Sequence, residues 1–460
     1  MRIFAALVLA CGFLAAAPAK IDSNSARLKK AYRKAPQSGW IFVHLEGSAG
    51  DIGYQHGYLL ANEIADTERA VKLSITHDSK DWQFFRGAAE SVLWPHVEAE
   101  YRAELQGIVA GIQAKGVKLD LWDIVAMNAW LELSPYYTNF VDSGVHRSTG
   151  DHCSAFVATG SYTKDGRPVI AHNNWTDYMT GSRWNIIFDI VPERGNHFMM
   201  DGMPGLIHSG DDFGINSQGI MITETTITAF HGFDPDGVPE FVRARKAMQY
   251  SASIDDFARI MKDGNNGGYA NDWLVADRKT GEIASLELGL KHVNLWRTKD
   301  GYFAGSNFPI DPALAKDETD FDVHDMSNSA NARHARWDQL MAENKGQIDV
   351  ALGQRFLADH YDSYEKKIVP SERTLCGHVE MSVRGSKPWQ PPFGTAGAVE
   401  NKVADAAMAE QMSFTAVMGH ACGIHFKAAK HLKEHPEFAW EKGVLRDLDS
   451  HAWTTFQAAK

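Results

Sequence analysis

The sequence predicts an α+β protein in which two β-sheets are sandwiched between helices. Three observations carry this reading. Apolar residues recur at helical spacing through most of the chain before Cys153, and the texture then changes to short strands punctuated by turn signals. Helical stretches at about 239–250, 253–262, 331–343 and 347–358 follow, with further strand-like runs beyond them.

Taken in order, residues 20–40 are basic and polar, and Trp40 to Leu45 reads as a strand. From Tyr54 to about Leu73 the residues Leu59, Leu60, Ile64 and Ala65 recur at helical spacing. A longer helical pattern spans about Asp81 to Ala114, and a shorter one Leu121 to Leu133. Gly144 to Gly150 forms a polar connector. After Cys153, strands are expected at Asn185–Val191, Phe198–Met200, Gly219–Thr223, Asp272–Ala276 and Glu282–Glu287. Asn216-Ser217-Gln218-Gly219 and Arg278-Lys279-Thr280-Gly281 supply turns between them.

The first residues read as an export leader: Met1-Arg2 is basic, Ile3 to Ala16 is apolar, and Ala17-Pro18-Ala19 is an A-x-A cleavage site. The apolar run is too short to span a bilayer, so no stable membrane insertion is expected. The 460-residue chain carries a net charge of −12, which argues against nucleic acid and against docking on anionic lipid. Its length suits one large domain or two intimate ones. Of four cysteines, Cys11 would leave with the leader. Either Cys376 pairs with Cys422 or all three remaining thiols are reduced, and in both cases Cys153 is the candidate free thiol.

The chain is organised around Asp151-His152-Cys153-Ser154-Ala155-Phe156. A thiol opens an apolar strand, Lys164-Asp165-Gly166 turns it, and the returning run ends in His172-Asn173-Asn174-Trp175-Thr176-Asp177. A thiolate attacks carbonyl carbon but needs a base and an oxyanion site. Cleavage of the His152–Cys153 bond would free an α-amine of pKa near ~8 to act as that base. The expected division is a leader over 1–19, a mainly helical segment over 20–152, and a nucleophile-bearing core over 153–460.

These stretches resemble the phospholipase B-like proteins and the related penicillin acyltransferase-type cysteine peptidases, both N-terminal-nucleophile (Ntn) hydrolases. Cys153-Ser154-Ala155 is similar to the family's post-cleavage start, and His172-Asn173-Asn174-Trp175 to its Gly-His-Ser-Ser-Trp element. Gly202-Met203-Pro204-Gly205-Leu206, Ser209 to Phe213 and Glu224-Thr225-Thr226 resemble the phospholipase B-like branch. Asn266 to Trp273 resembles its Tyr-Asn-Asn-Gln-Trp segment. Ile52 to Gly57, Ala126-Met127-Asn128, and Asp359-His360 with Cys376-Gly377-His378 resemble the acyltransferase branch. The likeness runs from about residue 45 to at least 430.

The resemblance implies a four-layer αββα Ntn-hydrolase fold with Cys153 as nucleophile. It places His172 and Trp175 along the site, Thr225 or Thr226 on a strand facing the thiol, and Asn271 in the oxyanion hole. An amide there stabilises developing negative charge without titrating. Arg336 would orient an acid or bind a substrate carboxylate, and Asn174 and Asp212 would border the pocket. Two departures bear on substrate choice: Asn173-Asn174 replaces Ser-Ser, and Asp272 replaces a Gln.

Other chemistries fit less well. Ser161-Tyr162-Thr163-Lys164 mimics a penicillin-binding signature but lies in a hairpin, and no G-x-S-x-G elbow is present. There is no H-E-x-x-H or C-x-x-C to suggest a metal, and the thiol chemistry needs neither a metal nor an organic cofactor. His420-Ala421-Cys422-Gly423-Ile424-His425 is the only dense cluster of ligand types. The expected activity is hydrolysis of a fatty-acyl ester such as a phospholipid. The runner-up is hydrolysis or acyl transfer on an N-acyl amino acid, small peptide or β-lactam-like amide. The remaining alternative is an exported binding protein that keeps the fold. Association of the two cleavage products is the one protein partnership this reading allows, and the sequence does not fix whether the N-terminal segment stays bound.

Overall fold

The computed structural model describes residues 23–77, 79–142, 153–211, 213–387 and 389–459. Before Cys153 lie β1 (Tyr32–Arg33) and β2 (Ile41–Gly47). After it come β3 (Ser154–Thr159), β4 (Val169–Asp177), β5 (Ile186–Pro192), β6 (Phe198–Gly202), β7 (Gly214–Asn216) and β8 (Ile220–Thr226). They are followed by β9 (Asn271–Asp277), β10 (Glu282–Leu288), β11 (Val293–Thr298) and β12 (Gly301–Gly305). The last third adds β13 (Tyr361–Asp362), β14 (Lys367–Ile368), β15 (Ala396–Asp405), β16 (Ser413–Met418) and β17 (Thr454–Gln457).

Two large sheets form. One runs β1-β2-β5-β6-β7-β8-β9-β10-β11 and the other β12-β3-β4-β15-β16-β17. Period-two alternation divides each strand between two faces. In β3, Ala155 and Val157 pack with Phe42, Ile187, Met221, Leu274 and Ala276 between the sheets. Phe156 and Ala158 point the other way, onto Trp337, Leu340 and Phe356 of flanking helices. On the nine-stranded sheet, Trp273 and Val275 of β9 turn outward onto helices that contribute Phe257 and Ile260. The layers are therefore helix, sheet, sheet, helix: the α+β, αββα arrangement that the resemblance implies.

The segment before Cys153 is built into this core. β2 pairs in parallel with β5, Ile41 opposite Ile186, so it is an interior strand of the nine-stranded sheet. The strand expected at Trp40–Leu45 thus joins residues on both sides of the nucleophile.

Two of the expected long helices are broken. The first becomes Ala49–Leu59 and Ala61–Thr76, turning at the fully buried Leu60. The second is interrupted at Trp94-Pro95-His96, where proline removes a backbone donor, and continues as Ala99–Ala114. The helices Ala49–Leu59 and Ala99–Ala114 touch backbone to backbone. A Cβ added to Gly53 would stand 1.9 Å from the Glu104 carbonyl oxygen, and one on Gly111 2.3 Å from that of Tyr54.

Gly53→Ala is therefore expected to cost about 3 kcal/mol, because backbone must move to admit a methyl group. Gly87→Ala, where an added Cβ meets nothing within 4 Å, should be neutral or stabilising by up to about 1 kcal/mol. Urea denaturation of the two variants checks both.

Candidate active site

Cys153 immediately precedes β3 and is 1% exposed. Ser154 pairs with Asn173 and Ala155 with His172 across the β3–β4 hairpin. Alternation along both strands turns Cys153, His172 and Asn174 into the space between the sheets. The Cys153 Sγ lies 4.0 Å from Asn174 Oδ1. A His172 nitrogen, the Cys153 sulfur and a Glu224 carboxylate oxygen all fall within 4.8 Å of one another. Glu224 itself accepts a hydrogen bond from the Tyr269 hydroxyl at 3.1 Å.

The opposing sheet contributes the ends of β8 and β9, where Thr226 pairs with Asn271. Asn271 is fully buried, and neither its amide nitrogen nor its oxygen has a hydrogen-bond partner. Asn174 Nδ2, Thr225 Oγ1 and Thr226 Oγ1 are also buried without hydrogen-bond partners. Buried polar atoms are nearly always satisfied, so a concentration of orphans at adjoining strand ends marks a place built for something other than packing. Thr225 points across the sandwich at β12: a Cβ on Gly305 would stand 2.4 Å from its Oγ1.

The arginine at the site is Arg333. Its guanidinium is fully buried and donates to the Cys153 carbonyl oxygen, to Ser154 Oγ at 3.1 Å, to Asn307 Oδ1 at 2.9 Å and to Ser329 Oγ at 3.0 Å. It also stacks 4.6 Å over the Trp175 ring. None of these hydrogen-bond acceptors is a carboxylate. Burial lowers its pKa to about 9, which leaves it charged at neutral pH. Arg336, the arginine expected from the sequence, instead forms a two-pronged pair with Asp359 at 2.9 and 2.8 Å. Both lie on the helix Ser329–Glu343, and the face carrying Arg333, Trp337 and Leu340 is the one turned to the core. Arg336 sits on its flank.

Trp175 is also displaced from its expected role. Alternation puts it with Asn173 on the opposite face of β4, where its indole N–H donates to the Leu375 carbonyl oxygen at 3.2 Å. Asn173 donates to the Leu357 and Leu375 carbonyls at 3.2 and 2.7 Å. Trp175 therefore supports Arg333 rather than lining the site. Asp177 caps the turn that follows β4, accepting from Thr180 N at 2.8 Å. His152 and Asp212, like the leader at 1–19, fall outside the described residues.

Behind His172 lies a buried charge cluster that joins the sheets. Lys402 of β15 donates to Asp201 of β6 at 2.8 Å, to Glu400 at 2.6 Å and to Asp211; all four side chains are at most 1% exposed. Asp211 Oδ2 also lies 3.6 Å from His172 Nδ1. Burial and the neighbouring carboxylate hold Asp201 well above the usual carboxylate range, and burial does the same to Glu400. At Asp211 burial is overcome by Lys402 and His172, and its pKa falls well below the usual range. Of the three carboxyl groups, Asp211 is thus the one held toward its charged form beside the ammonium. Burial, followed by the Lys402 charge, lowers the His172 pKa to about 4, so its ring is neutral at pH 7.

A cleft of about 740 Å³ adjoins this region, lined by Trp130, Tyr136, Thr226, Tyr269, Trp389 and Trp440 among others. Cys153 is not part of its wall. Thr226 and Tyr269 connect the two, Tyr269 through its bond to Glu224.

A family model described as Phospholipase B matches residues 60–296. A phospholipase B of Crotalus adamanteus is 23% identical over 489 residues, covering 87% of this chain and 85% of that protein. An uncharacterized protein of Archaeoglobus fulgidus is 25% identical over 255 residues, covering 53% of this chain and 42% of that one. The chain spans about half the length of several curated relatives that it matches. A variant of conjugated bile acid hydrolase from Clostridium perfringens superposes with a TM-score of 0.34 at 12% identity, over 66% of this chain and 97% of that chain, a likeness too slight to carry an inference.

A second acid pair gives a test of the interior. Asp272 stands directly opposite Glu287 on the neighbouring strand, and both are buried. Burial and Glu287 hold Asp272 well above its ordinary value, and burial lifts Glu287 to about 7. Both folded values exceed those of the unfolded chain (~4), so the folded state holds the extra proton. The pair's contribution is complete below pH ~4 and is lost as pH climbs through about 7. Asp272→Asn keeps a donor with no proton to lose. It should lose less melting temperature than wild type between pH 5 and pH 8, as calorimetry across that range will read.

Proposed function

This chain belongs to the phospholipase B family, and on that premise we propose that it is an exported cysteine hydrolase. Cys153, freed by autocleavage of the His152–Cys153 bond, in which its own thiol attacks the His152 carbonyl and water releases the resulting thioester, cleaves an acyl ester through a thioester. The observation that carries this reading is the cation without an anion. Arg333 holds the Cys153 carbonyl while no acid among the described residues accepts a hydrogen bond from it. A buried positive charge beside a thiol favours the thiolate, and it favours the oxyanion that forms when the thiolate attacks.

The base follows from what His172 cannot do. With a pKa of about 4 it is a poor proton acceptor at neutral pH, whereas a free α-amine near ~8 is a good one. In the proposed cycle the Cys153 α-amine takes the Sγ proton and the sulfur bonds to the ester carbonyl carbon. The Asn271 amide, buried and without a partner, donates to the new oxyanion. Collapse of the intermediate breaks the carbon–oxygen bond, and the alcohol leaves with the proton from the ammonium. Water, deprotonated by the amine, then attacks the thioester and returns Cys153. His172 and Asn174 hold the thiol in place. The aromatic cleft beside Thr226 supports an apolar acyl chain as the group transferred.

The same thiol chemistry opens a linear amide, so fatty-acyl esters, phospholipids and N-acyl amino acids belong in one assay. Export rests on the leader at residues 1–19, and with it the proposal places the enzyme outside the cytoplasm.

Cys153→Ala should abolish turnover, a loss of at least about 10³-fold. Wild type quenched during turnover should carry a hydroxylamine-sensitive acyl group on the peptide that begins at Cys153. Asn271→Ala should lower kcat about 10²-fold with little change in KM. Full activity in Cys153→Ala, or an Asn271→Ala effect confined to KM, would sink the assignments.

A further inference from the structure

Away from Cys153, on the outer side of β4, four side chains from three separate loops converge. A ligand atom from each of His360, Cys376, His378 and Cys422 lies within 4.8 Å of all the others. His378 Nε2 is 3.6 Å from Cys376 Sγ and 3.5 Å from Cys422 Sγ. The geometry points to a structural zinc site of Cys₂His₂ composition.

The spacing is what a tetrahedral ion demands. Zn–S bonds of about 2.3 Å and Zn–N bonds of about 2.0–2.1 Å, opened to the tetrahedral angle, separate sulfur from nitrogen by about 3.6 Å. Two thiolates and two imidazoles are the donor set that suits Zn²⁺ among the divalent metals. Both cysteines are free thiols in the structure.

The surroundings are also those of a metal site. His378 Nδ1 is 2.8 Å from Glu380 Oε1, which fixes the tautomer that leaves the Nε2 lone pair facing the sulfurs. Glu380 is itself held by the Tyr178 hydroxyl at 2.6 Å. The Ile424 N–H points at Cys422 Sγ at 3.5 Å, a donor that suits a thiolate. His360 Nε2 is buried and has no hydrogen-bond partner. A Cys376–Cys422 disulfide would explain none of this, since it would leave the His378 lone pair facing sulfurs that have no proton to donate.

Four protein ligands close the tetrahedron, so the ion has no open position for substrate and its role is mechanical. Cys376 and Cys422 pack with Trp175. A Cβ on Gly377 would stand 2.0 Å from the Trp175 ring, so this loop is pressed onto the indole. The ion would clamp the loops against the back of the strand whose front presents His172 and Asn174.

The test uses the full-length protein purified without chelator. Elemental analysis should find one zinc per chain after gel filtration. Replacement with Co²⁺ should give the intense visible bands of a tetrahedral site, with sulfur-to-cobalt charge transfer. Glu380→Gln should weaken zinc binding 10- to 100-fold in competition with a chromophoric chelator, and Cys422→Ser should remove the charge-transfer band or weaken it strongly. Reduced wild-type protein that takes up neither Zn²⁺ nor Co²⁺ would overturn the proposal. So would a purified chain lighter by two hydrogens with Cys376 joined to Cys422. Both outcomes are read on wild type, so a variant that fails to fold does not protect the idea.

Discussion

Arg333 is completely buried, yet its hydrogen bonds go to neutral oxygens. Burying an unpaired ion costs several kcal/mol even after relaxation. That cost is offset only because four parts of the chain meet it. The Cys153 carbonyl and Ser154 come from the head of β3, Asn307 from the loop after β12, Ser329 from its own helix, and the Trp175 ring from the back of β4. The start of β3, the hairpin and the outer helix are therefore fixed relative to one another by a single guanidinium. The fork geometry of arginine is what allows so many acceptors to be held at once. The same charge is felt at Cys153.

The second buried cation is arranged in the opposite way. Lys402 faces three carboxyl groups, of which Asp201 and Glu400 are pushed toward their neutral forms and Asp211 toward its charged form. This cluster bolts β6 to β15, while burial, followed by the Lys402 charge, keeps the His172 ring neutral. The six-stranded sheet and the helix Ser329–Glu343 thus deliver different electrostatics to one spot. A neutral imidazole and an amide lie beside the thiol, while an unneutralised cation holds the backbone carbonyl of the same residue. Chemistry that passes through a thiolate and an oxyanion is what such a field stabilises.

Much of this was legible in the sequence, for local reasons. The hairpin after Cys153 and the five strands expected between residues 185 and 287 begin and end within a few residues of where alternation and turn signals place them. The thiol at the head of an apolar strand, with His172 and Asn174 returning beside it, follows from the hairpin alone. What failed needed tertiary information. Nothing local marks the turn at Leu60, whereas Pro95 was a visible breaker within a pattern read as continuous. Arg333 and Arg336 are three apart on one helix, and the charge alone does not say which faces inward. The signal was Trp337, four residues after Arg333 and so on its face, a core aromatic that turns Arg333 toward the interior. Trp175 was read by its neighbourhood rather than by the alternation that sends it to the far side of β4. The Cys₂His₂ set was invisible because its members stand 16, 2 and 44 residues apart along the chain, a spacing that matches no motif and closes only through the fold.

The central claim is that Cys153 acts as the first residue of a chain, and intact mass spectrometry tests it most directly. Wild type and Cys153→Ala are purified in parallel and weighed under denaturing conditions. The account predicts two polypeptides in the wild type, the second beginning at Cys153, and one uncut chain in the variant. A wild type that hydrolyses acyl substrates while remaining whole would contradict it, because no α-amine would then exist to take the thiol proton.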